Sequence, residues 1–313
     1  MQNKPIIPIF YASDENYLPY LSVSLSSLKA NASKSYAYHI YILNADVKES
    51  ERTQKIFEYA DENFKIEYVD VSKRLEAVKE SLKLRDYYTG ATYYRIFIAN
   101  MFPQYEKALY IDSDTIVLGD IAELYNKELG DNLVGAVPDG AVGAVPEFRR
   151  YTKEVLGITF DKYFNAGVLL MNLAQFRKQN FYDDFCALLK EYKFSVAQDQ
   201  DYLNVICKDK VAYIDMEWNQ MPIASEKGGQ PKLIHYNLTM KPWHYENILY
   251  KEHFWKYARK NAFYTSILSD LQDYTQDKQE KDAECEVALR KLCIEEAERE
   301  DNFLKARQKA NKA

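Results

Sequence analysis

KALYIDSDTIVLGD, residues 107–120, is an apolar run that ends in two carboxylates one residue apart and then resumes as a second apolar run. A strand through Leu109, Tyr110 and Ile111 would carry Asp112-Ser113-Asp114 at its carboxyl end. Open α/β sheets bind their ligands at that end. Two carboxylates held out of water repel each other and lose hydration unless a cation lies between them. A hard divalent ion that also touches phosphate oxygens would meet both demands. On its own such a tripeptide also fits a surface capping turn; the apolar flanks on both sides favour a buried strand end.

The segments before this stretch supply the rest of a sheet. Ile6–Tyr11 is a short apolar strand, and Ser13–Asn16 after it is turn and helix-cap chemistry. Leu18, Leu21, Leu25 and Leu28 recur at helical spacing. Tyr38–Leu43 reads as a strand, Glu49–Tyr59 as a helix, and Lys65–Val69 as an alternating strand. Strand, helix, strand, helix, strand within the first 70 residues predicts a parallel sheet with crossover helices. Ala91–Met101 is helix-like, and Ala108–Ile111 is the strand before the acids. Beyond them, Leu133–Val137 and Tyr163–Asn172 are strand candidates, Phe181–Tyr192 and Asp199–Cys207 read as helices, and Lys232–Tyr236 is a short strand. The expected fold is α/β, a Rossmann-like, mainly parallel sheet flanked by helices. No Gly- or Pro-rich linker divides the chain, so residues 1–265 read as one catalytic domain and 266–313 as a C-terminal helical extension.

The extension lacks Gly and Pro from 268 onward and is dense in Glu, Lys, Ala and Arg. Cys285, Leu289 and Leu292 fall on one helical stripe, suited to packing on the domain or on a second subunit as a homodimer. Lys305, Arg307, Lys309 and Lys312 cluster at the end. Acids nearly balance bases over the whole tail, which favours a solvated packed helix over peripheral membrane contact through a basic patch.

Composition narrows the function classes. The chain has 313 residues, 47% hydrophobic and 28% charged, as in ordinary globular proteins. A net charge of −6, with no aromatic-interleaved basic run, argues against a nucleic-acid partner. Four scattered cysteines show neither zinc spacing nor a redox pair. With no signal-peptide pattern, a cytoplasmic location with reduced thiols is the expectation. The 27 tyrosines supply rings with hydroxyl tips, which suit sugar surfaces as well as core filling.

ALYIDSDTIVLGDIAELY (108–125) resembles the metal-binding segment of glycosyltransferase family 8, retaining enzymes of the GT-A fold that include lipopolysaccharide galactosyl- and glucosyltransferases and the glycogenins. The similarity extends, in order, over YASDENY (11–17), TYYRIFIANMFP (92–103), YFNAGVLLMNL (163–173), DQDYLN (199–204) and IHYNLTMKPWH (234–244). The resemblance implies that Asp112, Asp114 and His235 hold Mn²⁺, with Mg²⁺ as the alternative ion, against the diphosphate of UDP-galactose or UDP-glucose. Lys241 then stabilises the departing nucleotide. Ala12 and Asp14 match residues that read uracil, and Asp14 also suits helix N-capping. Asn16 and Tyr17 lie in the same loop, Ser113 sits between the two acids, and Arg95 matches a contact to donor sugar or phosphate. Asn165, Ala166 and Gly167 border the donor sugar, where a glycine in a strand pattern marks a close approach.

Asp199, Gln200 and Asp201 match the acidic cluster beneath the anomeric carbon, with Asp199 on sugar hydroxyls and Gln200 nearest the β face. Gln200 is a poor nucleophile, so front-face transfer is expected, with a covalent route through Asp201 as the alternative. The acceptor would be an oligosaccharide, glycolipid or glycoprotein of the cell surface. The sequence departs from the common family form at Leu238, where many members carry glycine; leucine reaches positive φ only at a cost. Two other readings are a non-catalytic sugar-nucleotide- or glycan-binding helper subunit and a glycogenin-like self-glucosylating enzyme.

Overall fold

The computed structural model describes residues 4–46, 48–78, 90–223 and 229–311. Its strands are β1 Ile6–Ala12, β2 Ala37–Asn44, β3 Phe64–Asp70, β4 Lys107–Ile111, β5 Thr115–Val117, β6 Val134–Ala136, β7 Val168–Asn172, β8 Val211–Tyr213 and β9 Leu233–His235. Seven of them form one sheet in the order β3-β2-β1-β4-β7-β6-β8. β1 pairs in parallel with β2 and β4, and β3 with β2, as the alternation of strands and helices demands. β7 alone runs against its neighbours β4 and β6, which makes the sheet mixed but mainly parallel.

β1 shows why its sequence is apolar almost throughout. Ile7, Ile9 and Tyr11 point into the core on one face, and Phe10 points into the core on the other. The helix Leu18–Asn31 lies on the first face through Leu18, Leu21, Leu25 and Leu28. It also carries a buried hydroxyl seam. Ser24 Oγ meets Thr115 Oγ1 at 2.9 Å, and Ser27 Oγ accepts from Val117 N at 2.8 Å. These bonds fix β5, directly after the acid pair, to the body of the protein.

Sheet order reverses between β1 and β4. Their carboxyl ends, at Ala12 and Asp112, therefore flank the crevice that such a switch point leaves open. Ser113 Oγ closes the floor by donating to Ala12 O at 3.0 Å.

Some boundaries differ from the sequence expectation. Ala91–Met101 is a 3₁₀ helix, Gly90–Phe97, followed by a single α-turn, Ile98–Met101. The strand expected over Tyr163–Asn172 is β7 only from Val168. Asn165 Oδ1 accepts from Gly167 N at 2.9 Å, and this local capture turns the backbone away from the ladder. The 265/266 division expected between domain and extension falls inside the helix Tyr264–Gln272. Ile267 of that helix is in the core, and Tyr20 Oη donates to its Asp270 at 2.7 Å. The helices Gln276–Glu298 and Phe303–Ala310 follow, with Cys293, Ala297 and Phe303 in the main core. Leu289 and Leu292 of the expected stripe pack against that core. Lys305, Arg307 and Lys309 bond to Arg299 O, Glu191 and Glu300 O; Lys312 lies outside the described residues. Among the described residues no helix is long and apolar enough to cross a membrane.

Candidate active site

The crevice opens into a cleft of about 430 Å³ lined by most of the residues singled out from the sequence. Ala12, Asp14 and Tyr17 come from the end of β1 and the turn after it. Asp14 caps that turn, accepting from Tyr17 N at 2.9 Å. Arg95 comes from the 3₁₀ helix, Asp112, Ser113 and Asp114 follow β4, Asn165, Ala166 and Gly167 precede β7, and Asp199 and Gln200 open the helix Asp199–Ile206.

His235 reaches the acids through the two-stranded β5–β9 ladder, in which Thr115 pairs with His235 and Tyr236 N donates to Asp114 O at 3.0 Å. The result is a triad. Asp112, Asp114 and His235 each offer a ligand atom, all within 4.8 Å of one another.

A chain of buried amides fixes which ring nitrogen of His235 faces the acids. Asp139 Oδ2 is an acceptor, so the Asn165 group 3.0 Å from it is Nδ2. Asn165 Oδ1 then accepts from Asn219 Nδ2 at 2.9 Å, which turns Asn219 Oδ1 toward His235 Nδ1 at 3.0 Å. His235 Nδ1 is therefore the protonated nitrogen, and in the neutral ring Nε2 carries a lone pair. That lone pair lies 3.3 Å from Asp114 Oδ1 and 3.7 Å from Asp112 Oδ2, acceptor against acceptor. Asp114 Oδ1 is buried without a hydrogen-bond partner. A cation between these atoms removes the conflict, and two carboxylates with one imidazole form a donor set that divalent ions accept. Asp139 and Asn219 were not singled out from the sequence. The signal for Asp139 was its place before Gly140, as a helix cap that accepts from Val142 N; nothing local marked Asn219.

Gly167 makes the approach of these groups sterically feasible. A Cβ there would stand 2.2 Å from His235 Cε1 and 2.7 Å from Asp112 Oδ2. The glycine is required for space and not for its backbone freedom.

Two buried cations balance the acids. Lys241 pairs with Asp114 and with Tyr236 O, beneath the stacked rings of Tyr20 and Trp243. Burial alone would push the Asp114 carboxyl up, but the Lys241 ammonium and His235 together outweigh it and hold Asp114 well below the usual carboxylate range. Arg95 lies over the Tyr110 ring, bonds Ala166 O, and stands 3.3 Å from Asp112 Oδ1. Its Nε is 3.1 Å from Asp199 Oδ2, in ion-pair contact but off the hydrogen-bond line, because that N–H donates to Thr92 O at 2.9 Å. Burial pushes the Asp199 carboxyl up to about 7 against the pull of Arg95.

Gln200 is held from both ends of its amide. Oε1 accepts from Ala166 N at 2.9 Å, and Nε2 donates to Asp139 Oδ2 at 3.0 Å. Asp201 departs from the expectation of a catalytic place: it is fully buried and off the cleft wall. Tyr163 Oη donates to its Oδ1 at 2.7 Å, while Tyr151 Oη and Ala197 N donate to Oδ2 at 2.8 and 3.0 Å. Successive helix positions point about 100° apart, so with Asp199 and Gln200 on the cleft the next residue turns inward. Asn16 is exposed and also stands off the cleft. Leu238 lines the cleft at φ 50°, so the leucine does occupy the left-handed conformation that it reaches only at a cost.

Residues 8–247 match the model of glycosyl transferase family 8. A Haemophilus influenzae protein carrying a glycosyltransferase name is 31% identical over 215 residues, 68% of this chain and 63% of its own length. The chain thus spans less than two thirds of that relative. The lipopolysaccharide 1,3-galactosyltransferase of Salmonella typhimurium is 29% identical over 256 residues, 75% of this chain and 72% of its own. Among solved structures, the galactosyltransferase LgtC in complex with donor and acceptor sugar analogues superposes with a TM-score of 0.70 at 26% identity. That match covers 82% of this chain and 96% of LgtC.

Proposed function

The chain belongs to glycosyltransferase family 8, and from that premise we propose that it moves galactose or glucose from a UDP-sugar to a glycan acceptor of the cell surface, with retained anomeric configuration and with Mn²⁺ at Asp112, Asp114 and His235. The observation that carries this reading is the meeting of His235 Nε2 with the orphaned Asp114 Oδ1 at the sheet's switch point. A bound divalent ion would supply charge to the diphosphate oxygens of the donor.

The chain's own groups do the rest. Lys241, already a buried cation beside Asp114, is placed to share its charge with the leaving diphosphate as negative charge develops there. Tyr17, within reach of Lys241, and Asp14 border the nucleotide end of the cleft. Arg95 holds Asp112, Asp199 and Ala166 O in one frame, and a planar guanidinium suits that multi-directional role better than lysine. Asp199 and Asn165 border the donor sugar.

Front-face transfer fits best. Gln200, its amide locked by Ala166 and Asp139, is a poor nucleophile, and both oxygens of Asp201 are occupied behind the wall. The departing phosphate then takes the acceptor's proton.

Release of UDP from UDP-galactose and UDP-glucose, with and without Mn²⁺, tests the reading in wild type and Asp114→Asn. Metal-dependent release in wild type, lost at least a hundredfold in a variant that keeps its fold, is expected. Undiminished release in the variant refutes the metal assignment, and no release by wild type from either donor refutes the donor.

A further inference from the structure

The helix Gln276–Glu298 lies outside the family match, which ends at residue 247, yet it forms part of the cleft wall through Asp282 and Leu289. Its N-terminal half is pinned to the loop after Lys241. Tyr245 Oη and Tyr274 Oη both donate to Asp282 Oδ2, at 2.7 and 2.6 Å. The His244 ring stacks on Tyr274, with centroids 3.8 Å apart and planes 8° from parallel. The helix also packs on Pro146–Tyr151, where Arg150 Nη1 donates to Glu298 at its C-terminal end at 3.3 Å, and Leu289 lies against the core that includes Phe148 and Tyr151. The helix therefore crosses from the Lys241 side of the cleft to the Tyr151 side.

The chemistry of this wall is unlike that of the phosphate end. Asp282 is a carboxylate, and burial holds His244 uncharged with its pKa pushed down to about 4, so neither adds positive charge for a diphosphate. A carboxylate accepts hydrogen bonds from hydroxyls, as Asp282 does from two tyrosines. Leu289 offers an aliphatic surface about two turns, on the order of 10 Å, further along the same helix. A carboxylate for hydroxyls beside an apolar surface for C–H groups is the pairing a pyranose ring presents. The donor's parts have other neighbours: the diphosphate has Lys241 and the triad, and its sugar has Asp199 and Asn165.

We propose that the helix Gln276–Glu298 is the acceptor-selecting wall of the cleft, with Asp282 and Leu289 as contacts for a neutral pyranose acceptor. This rests on the transferase reading for the word acceptor, but not for the sugar binding itself.

The test uses the full chain and, as probes, lactose, N-acetylglucosamine and the methyl glycosides of glucose and galactose. Saturation-transfer NMR in the presence of UDP and Mn²⁺ reads sugar binding without turnover. Steady-state kinetics with a UDP-hexose donor then separates the two substrates. At least one probe sugar binds wild type, and Asp282→Asn weakens it about tenfold. In kinetics the acceptor KM rises about tenfold while the donor KM stays within twofold. Leu289→Ala, which leaves the Asp282–tyrosine cluster in place, changes the ranking of the sugars and stands as the readout should Asp282→Asn fail to fold. Unchanged sugar affinity and ranking overturn the proposal, as does wild type that binds none of the probes or a donor KM that moves in step with the acceptor's. Sugar binding without UDP release overturns the transferase reading and leaves the wall assignment standing.

Discussion

Replacing Gly167 by alanine perturbs the triad with a single methyl group. The added carbon would sit 2.2 Å from His235 Cε1 and 2.8 Å from Nδ1, whereas carbon contacts settle at about 3.5–4.0 Å. The ring must retreat by more than about 1 Å. Its Nδ1 is tied to Asn219 at 3.0 Å and its backbone is paired to β5, so retreat breaks the one or strains the other. Overpacking of this kind costs about 1–3 kcal/mol in stability. Disturbing the partner that orients a ligating histidine costs about 10–100-fold in metal affinity, and moving the ligand itself lies at the upper end. Gly167→Ala is therefore expected to raise the Mn²⁺ dissociation constant about a hundredfold, by isothermal titration, and to lower metal-dependent UDP release at subsaturating metal in proportion. Gly143→Ala is the control. Its Cβ meets nothing nearer than Phe160 Cδ2 at 3.9 Å, inside the short helix Gly140–Ala144, so it is expected to gain roughly 0.5–1 kcal/mol of stability. Wild-type Mn²⁺ affinity in Gly167→Ala would refute the account of why glycine stands there.

Asp139→Asn keeps the oxygen that caps the helix at Val142 but removes the acceptor that sets the polarity of the amide chain. His235 is then expected to populate both neutral tautomers, read from its ring ¹⁵N shifts in the metal-free protein, with Mn²⁺ affinity down about tenfold; a single unchanged tautomer contradicts the relay. At Leu238, φ 50° costs a non-glycine residue about 1 kcal/mol or more, while glycine gives back about 0.4–1 kcal/mol in the unfolded chain. Leu238→Gly should stay within about 1 kcal/mol of wild type in denaturant unfolding and Leu238→Val should fall below it; the reverse order refutes the strain. Asp201 carries a pKa raised to about 6 by burial, against the pull of its three hydrogen bonds, and Asp199 one of about 7. Both bind protons more readily folded than unfolded, so between about pH 4 and 7 the native state holds the extra protons and stability falls as pH rises. Asp201 alone accounts for on the order of 2–3 kcal/mol of that fall. Urea unfolding in EDTA at pH 5 and pH 7.5 should show it, with a shallower slope in Asp201→Asn; equal slopes exclude Asp201 as its source.

The sheet's first half was legible in the sequence because strand and helix periodicities are local. Ile6–Tyr11, Leu18–Leu28 and Tyr38–Leu43 announce their buried faces, and β1, its helix and β2 form there. Asp112 and Asp114 were marked by acids abutting an apolar strand, a cost that a cation at the strand end would offset. The residues around Asn165 were less legible. A side-chain bond to Gly167 N competes with the ladder, and alternation cannot register such competition.

By itself the sequence determined the strand and helix alternation of the first 70 residues, the parallel half of the sheet, the acid pair at a strand end and, through resemblance, the family. Tertiary structure decided which distant groups meet those acids. β5–β9 pairing brings in His235, an amide chain from Asp139 through Asn219 turns its lone pair inward, and the helix Gln276–Glu298 closes a wall. It also turned Asp201 behind that wall and set Leu238 at positive φ. The reason is physical: periodicity reports which side of an element is buried, while register, helix phase and long-range contact depend on how separate elements pack. No local pattern carries that information.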